Sequence, residues 1–137
     1  MITNTESGTN VAEIAAGIFR INTPVPLPGD MQFNFNQYLI VDDAPLLFHT
    51  GLRGLFPLVS EAIAAVMPLQ QLRYVALSHF EADECGALND LLRVAPQAVP
   101  VCSQVAALVS VNDYADRAPR ALPDREELAL GPQTIKW

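Results

Sequence analysis

A chain of 137 residues that is 50% hydrophobic and 17% charged can bury one core, and none of its apolar runs is long enough to span a membrane. Its formal net charge of -7 and pI near 4.6 leave no basic stripe to neutralise phosphates, which excludes nucleic acid and anionic membrane surfaces as expected partners. The polar start MITNTESGTN lacks the basic residue and apolar core of a secretory signal, so a cytoplasmic protein is expected, with Cys85 and Cys102 as free thiols.

Residues 1–10 read as a flexible tail ahead of one domain over 11–137. Glu13 to Ile21 has strand character, and the Pro/Gly-rich NTPVPLPGDM reads as a loop. The run FNFNQYLIV alternates and then turns continuously apolar, as a strand passing from a wet edge into a covered interior would. After a turn at Asp42 and Asp43, Pro45 to Gly51 gives a short strand ending on His49, Thr50 and Gly51. From Leu55 the apolar spacing becomes helical until Pro68. Leu72 to Ser78 is apolar on both sides, like a sandwiched central strand. A helix with Leu88, Leu91, Leu92 and Val94 inward follows, with Asp83 as its expected cap and Pro96 as its stop.

Ala98 to Cys102 reads as a strand that Pro100 pushes towards an edge. Ser103 is the expected N-cap of QVAALVSV, then a loop leads to a hairpin over LALGPQTIKW. Alternating strands and helices behind an antiparallel start make an α/β layer.

The stretch SHFEADECGAL, Ser78 to Leu88, gathers His79, Glu81, Asp83 and Glu84, in a chain that holds two histidines in all. Side chains at i, i+2 and i+4 converge on an extended segment and diverge on a helix. Convergence of His79, Glu81 and Asp83 therefore requires the helix to begin no earlier than Asp83. One imidazole with carboxylates suits iron, manganese or zinc, but one loop gives too few ligands for a closed site. The plain alternative is a solvated acidic loop capped by Asp83. His49 is expected either as a hydrogen-bonded structural histidine or as an additional or supporting ligand at the same sheet edge. Gly86 is expected to permit close backbone approach.

The run His79-Phe-Glu81-Ala-Asp83-Glu84-Cys-Gly86 resembles the H-x-E-x-D-H-x-G signature of the metallo-β-lactamase-fold domain in flavodiiron and related oxygen-binding diiron proteins. Glu84 stands where that family has its second histidine, and LLFHTG stands where it often has an Asp-containing strand end. The resemblance implies the first half of an αββα sandwich, a mixed sheet with covering helices, from a truncated or fragmentary gene product. It also implies that His79 and Glu81 serve one metal and Asp83 another, with Glu84 as an oxygen ligand. The family's remaining ligands lie downstream of the matched segment, so an incomplete or altered site for iron (one or two ions) or zinc is expected.

A complete relative would be a non-haem diiron oxygen-binding protein or oxidoreductase. Two other readings stay open, a non-catalytic structural or interaction module and a zinc-dependent hydrolase of the same fold. With no flavin module in these residues, electrons would come from a donor protein. A half sandwich leaves an apolar sheet face, for which a homodimer stacked sheet to sheet is the expected cover.

Overall fold

The computed structural model describes residues 1–137. Eight strands form one mixed sheet in sequential order: β1 (Ile2–Asn4), β2 (Thr9–Ala15), β3 (Ile18–Leu27), β4 (Met31–Ile40), β5 (Leu46–Phe48), β6 (Tyr74–Ala76), β7 (Val99–Ser103) and β8 (Arg120–Leu122). The first five pair antiparallel as a meander, and β5 to β8 pair parallel. Parallel neighbours need crossovers. These carry α1 (Phe56–Ala64), then α2 (Ala82–Cys85) with α3 (Leu88–Val94), and finally α4 (Gln104–Ala106), which runs through a π segment (Ala107–Val111) into α5 (Asn112–Tyr114). Ser103 caps this last helix by accepting from the Ala106 N–H at 3.1 Å, as expected. No helix is long and apolar enough to cross a membrane.

Side chains alternate across the sheet, so neighbouring core residues serve different faces. Leu47, Val75 and Cys102 pack beneath Val59, Ile63, Leu88, Leu91 and Val111 of the helices. Leu46, Ala76, Val101 and Leu122 point the other way, onto Leu128 and Leu130. Those leucines belong to the terminal hairpin of β9 (Glu127–Ala129) and β10 (Thr134–Lys136), which lies as a separate two-stranded sheet. The face expected to be bare is therefore covered at its parallel end by this hairpin, with Ile135 and Trp137 packed at its border.

Several expectations are corrected. The first ten residues are not a tail: β1 and the start of β2 form a hairpin whose Met1 ammonium donates to the Val11 carbonyl at 2.9 Å. Glu13 to Ile21 is two strands, because Gly17 (φ 72°) turns the chain so that Ala15 pairs with Ile18. The NTPVPLPGDM segment is the distal part of a long hairpin, with Leu27 paired to Met31. The Val41 N–H donates to the Gly17 carbonyl, so by alternation the odd residues of β3 bond to β4 and the even ones face β2. Pro24 and Pro26 thus direct their donorless nitrogens past Thr9, where β2 begins. Nor does Pro100 lie on an edge. Val99 and Val101 carry the bonds to β6, so Pro100 faces β8, whose ladder begins only at Val101. Finally α2 begins at Ala82, with Glu81 in the capping position and no side-chain cap, so Asp83 is inside the first turn rather than ahead of it.

The C-terminal end of α3 is closed by Arg117. Its partly buried guanidinium donates to the carbonyls of Leu92 at 3.1 Å, Ala95 at 3.4 Å and Ala98, tying the last turn of the helix to the segment that leads into β7. Arg117→Ala is expected to lower stability by about 2 kcal/mol, read from urea unfolding followed at Trp137. Arg117→Lys recovers only part of it, because one ammonium cannot span the three carbonyls.

Candidate metal site at the carboxyl edge of the parallel strands

β5 and β6 are adjacent and parallel, so the residues that leave their carboxyl ends meet at one edge of the sheet. His49 follows β5 in a left-handed conformation (φ 67°), anchored by its N–H on the Ala76 carbonyl at 2.9 Å. Ser78 and His79 leave the end of β6, and α2 carries Asp83 and Glu84. The next turn is pinned under the loop after β5. Thr50 donates to the Glu84 carbonyl at 2.7 Å, and the Ala87 N–H reaches Gly51 O at 3.2 Å and Thr50 Oγ1 at 3.1 Å. Gly86 makes this approach possible, since a Cβ there would lie 2.7 Å from the Arg53 nitrogen and 2.6 Å from the Ala82 carbonyl. That bears out close approach at this glycine.

The ligand-type atoms of His79, Glu81 and Glu84 lie within 4.8 Å of one another. Nε2 of His79 is 3.4 Å from Glu81 Oε1 and 3.3 Å from Glu84 Oε1. Asp83 is not in this trio. Starting the helix at Ala82 leaves Asp83 beside the Glu84 carboxyl but outside the trio, and with Glu81 it also ends an apolar cavity of about 640 Å3 lined by Val25, Leu27, Phe33, Phe35, Leu52 and Leu55.

His79 and Glu81 are largely exposed, at 55% and 64%, whereas the Glu84 side chain is 9% exposed. Glu84 Oε2 is buried without a hydrogen-bond partner. Burial, ahead of the neighbouring Asp83 carboxylate, pushes the Glu84 carboxyl from its ordinary 4.5 up to about 7. An orphaned carboxylate oxygen beside an imidazole and a second carboxylate is a donor set that fits a cation of the iron, manganese or zinc class.

His49 is not in the trio either. Its Nε2 lies 2.7 Å from Ser78 Oγ, which lies 3.0 Å from Nδ1 of His79. Its ring stacks on Phe48, with centroids 4.3 Å apart and planes at 26°. Burial, then the neighbouring His79, lowers the His49 pKa from its ordinary value of 6.5. Ser78 had no role in the sequence reading beyond ending the strand, although its place directly before His79 at a strand end was a usable signal. Cys85 is set apart from the chemistry: its thiol donates to the Glu81 carbonyl at 2.8 Å, and burial, followed by the Glu84 carboxylate, pushes it up to about 11. Both cysteines are free and buried.

A family model described as ODP family beta lactamase matches residues 33–135. The curated relative diflavin flavoprotein A 2 of Thermosynechococcus vestitus is 29% identical over 156 aligned residues, covering 100% of this chain and 27% of its own length. Among solved structures, fragment 1–254 of diflavin flavoprotein A 5 from Nostoc sp. PCC 7120 superposes with a TM-score of 0.80 at 25% identity, over 93% of this chain and 55% of that one. Rubredoxin oxygen:oxidoreductase from the anaerobe Desulfovibrio gigas gives 0.79 at 23% identity, over 93% and 34%. The mixed sheet with its helices is thus the metallo-β-lactamase-like fold of flavodiiron proteins. The chain spans about a quarter of the curated relative and between a third and somewhat over half of these solved ones.

Two outcomes are expected of the metal-free chain. An acid with a raised folded pKa binds more protons folded than unfolded, so stability is highest below about 4.5 and falls as pH rises towards about 7. Urea midpoints across that window should drift down in the parent, and Glu84→Gln should flatten this component of the drift. Gly86→Ala should cost about 1–3 kcal/mol by forcing α2 away from the Arg53 backbone, measured in the same unfolding assay.

Proposed function

This chain belongs to the ODP family beta lactamases, and from that premise we propose that it is a metal-binding domain of the oxygen-handling diiron type. His79, Glu81 and Glu84 are the proposed ligands of one ion. The observation that carries the reading is the convergence of His79 Nε2 on two carboxylate oxygens, with the buried Oε2 of Glu84 left unpartnered. Asp83, on the side of the apolar cavity, is the proposed ligand of a second ion, in keeping with the family signature. Bound iron would supply a centre for dioxygen binding or reduction, and bound zinc would supply water activation for hydrolysis.

The chain's own residues do three things in this reading. Glu84, nearly buried, provides the negative charge that a cation neutralises; Glu81, exposed, completes the trio from the solvent side; the side chains from Val25 to Phe35 give the open approach past Asp83 an apolar wall. Oxygen chemistry is favoured over hydrolysis because the run His79-x-Glu81-x-Asp83 matches the diiron signature in residue type and spacing, and because one solved relative is itself named an oxygen oxidoreductase. Electrons would then come from a separate redox protein. A second copy is the proposed cover for the part of the sheet around Ile40, Phe48 and Tyr74 that the terminal hairpin leaves half-buried.

Elemental analysis of the purified chain after loading with iron or zinc tests this directly. Metal bound in whole-number stoichiometry is expected, with most of it lost in His79→Ala and in Glu84→Ala. Asp83→Ala should lower the count only where two ions are held. Metal content near zero on a folded chain would reject the reading in favour of a non-catalytic structural module.

A further inference from the structure

The hydroxyl of Ser78 sits between two imidazoles, 2.7 Å from Nε2 of His49 and 3.0 Å from Nδ1 of His79. A hydroxyl has one proton, so it can donate to one ring only and must accept from the other. The far nitrogen of His79 decides between the two directions. With no cation present, Nε2 of His79 faces carboxylate oxygens at 3.3 and 3.4 Å and is best occupied by a proton. In the neutral ring Nδ1 is then an acceptor, Ser78 donates to it, and Ser78 accepts the Nε2–H of His49.

A cation on Nε2 of His79 needs the lone pair there, so the proton must sit on Nδ1. Ser78 gives its proton to Nδ1 of His79 and takes the Nε2 proton of His49, so that Nδ1–H then donates to Ser78 and the hydroxyl donates to Nε2 of His49, which is protonated anew at Nδ1. One proton leaves Nε2 of His79 to water and one arrives from water at Nδ1 of His49, so the three groups hold the same number before and after. Two features keep His49 in place for this. Its backbone N–H is anchored on Ala76, and its ring lies against Phe48 at 4.3 Å.

We propose that Ser78 and His49 form a hydrogen-bond relay whose direction reverses when His79 takes up a metal, making both of them positioning residues for that ligand. The inference rests on the reading of His79 as a ligand. It predicts that the tautomer of His49, a ring that touches no metal, reports metal occupancy. The chain has only these two histidines, so both rings can be followed without crowding.

The test is a zinc titration of the full 137-residue chain labelled with 15N in histidine, read by two-bond proton–nitrogen correlation spectra that show which nitrogen of each ring carries the proton. Both rings are expected to switch from Nε2–H to Nδ1–H along the same zinc dependence. In Ser78→Ala, at an exposed position where the core is untouched, His79 should still switch, His49 should not, and zinc affinity should fall about 10- to 100-fold. Ser78→Thr keeps the hydroxyl and should restore both. A His79 that switches while His49 stays unchanged in the parent would overturn the relay and leave the ligand reading standing. An unchanged His79 would remove the ligand reading, and the relay with it. A His49 response that survives Ser78→Ala would also overturn the relay.

Discussion

The close contact between the backbone of Gly86 and the loop after β5 fixes helix α2, and with it the acids it carries, against the site edge. Two segments far apart in sequence, Thr50 to Arg53 and Glu84 to Ala87, are joined there by backbone hydrogen bonds and by the buried Thr50 hydroxyl. Three bonds of this kind at about 1 kcal/mol each hold a four-residue helix that could not persist alone. Because α2 is tied at its end, Glu84 is turned inward and left with one oxygen unpartnered, while Asp83, one residue earlier, looks out on the apolar cavity.

The sheet supports that edge asymmetrically. Every crossover helix packs on one face, as right-handed parallel connections running in one direction along a sheet require. The other face is served by a hairpin whose apolar contribution is mainly Leu128 and Leu130. The site edge thus stands on a thick, helix-backed layer. An acidic edge on a chain of net charge -7 repels anions at long range and draws in cations, which fits a ligand set still short of counter-charge.

Much of this was legible from residue order. In the parallel half His49 at a strand end, the two-sided apolar run around Val75, the Ser103 cap and the final hairpin all fall where pattern and local chemistry place them, whereas α1 ends at Ala64, ahead of the expected stop at Pro68. In the antiparallel start, proline does not act as punctuation. Pro24, Pro26 and Pro100 sit within ladders because each faces a side with no partner at that point, a fact of tertiary pairing that sequence does not carry. The residue types at the site were legible, since His79, Glu81 and Glu84 were singled out. Which acid joins the trio was not, because it depends on helix α2 starting one residue before Asp83, and element boundaries follow packing.

The donorless edge of β3 has a consequence for how molecules of this chain meet. A strand of ten residues that outruns its neighbour offers a ready template for another chain, and its tip bears exposed Leu27, Met31 and Phe33. Pro24 and Pro26 remove the donors on the side that β2 leaves open, and across the pair Asn22 Nδ2 donates to Oδ1 of Asn34 and of Asn36, with Gln32 donating to Asn34. On its β3 side the arm can therefore offer its apolar face to a partner without recruiting it as an extra strand. Contacts made there are governed by side-chain fit and stay finite, where an unguarded edge would propagate into fibrils.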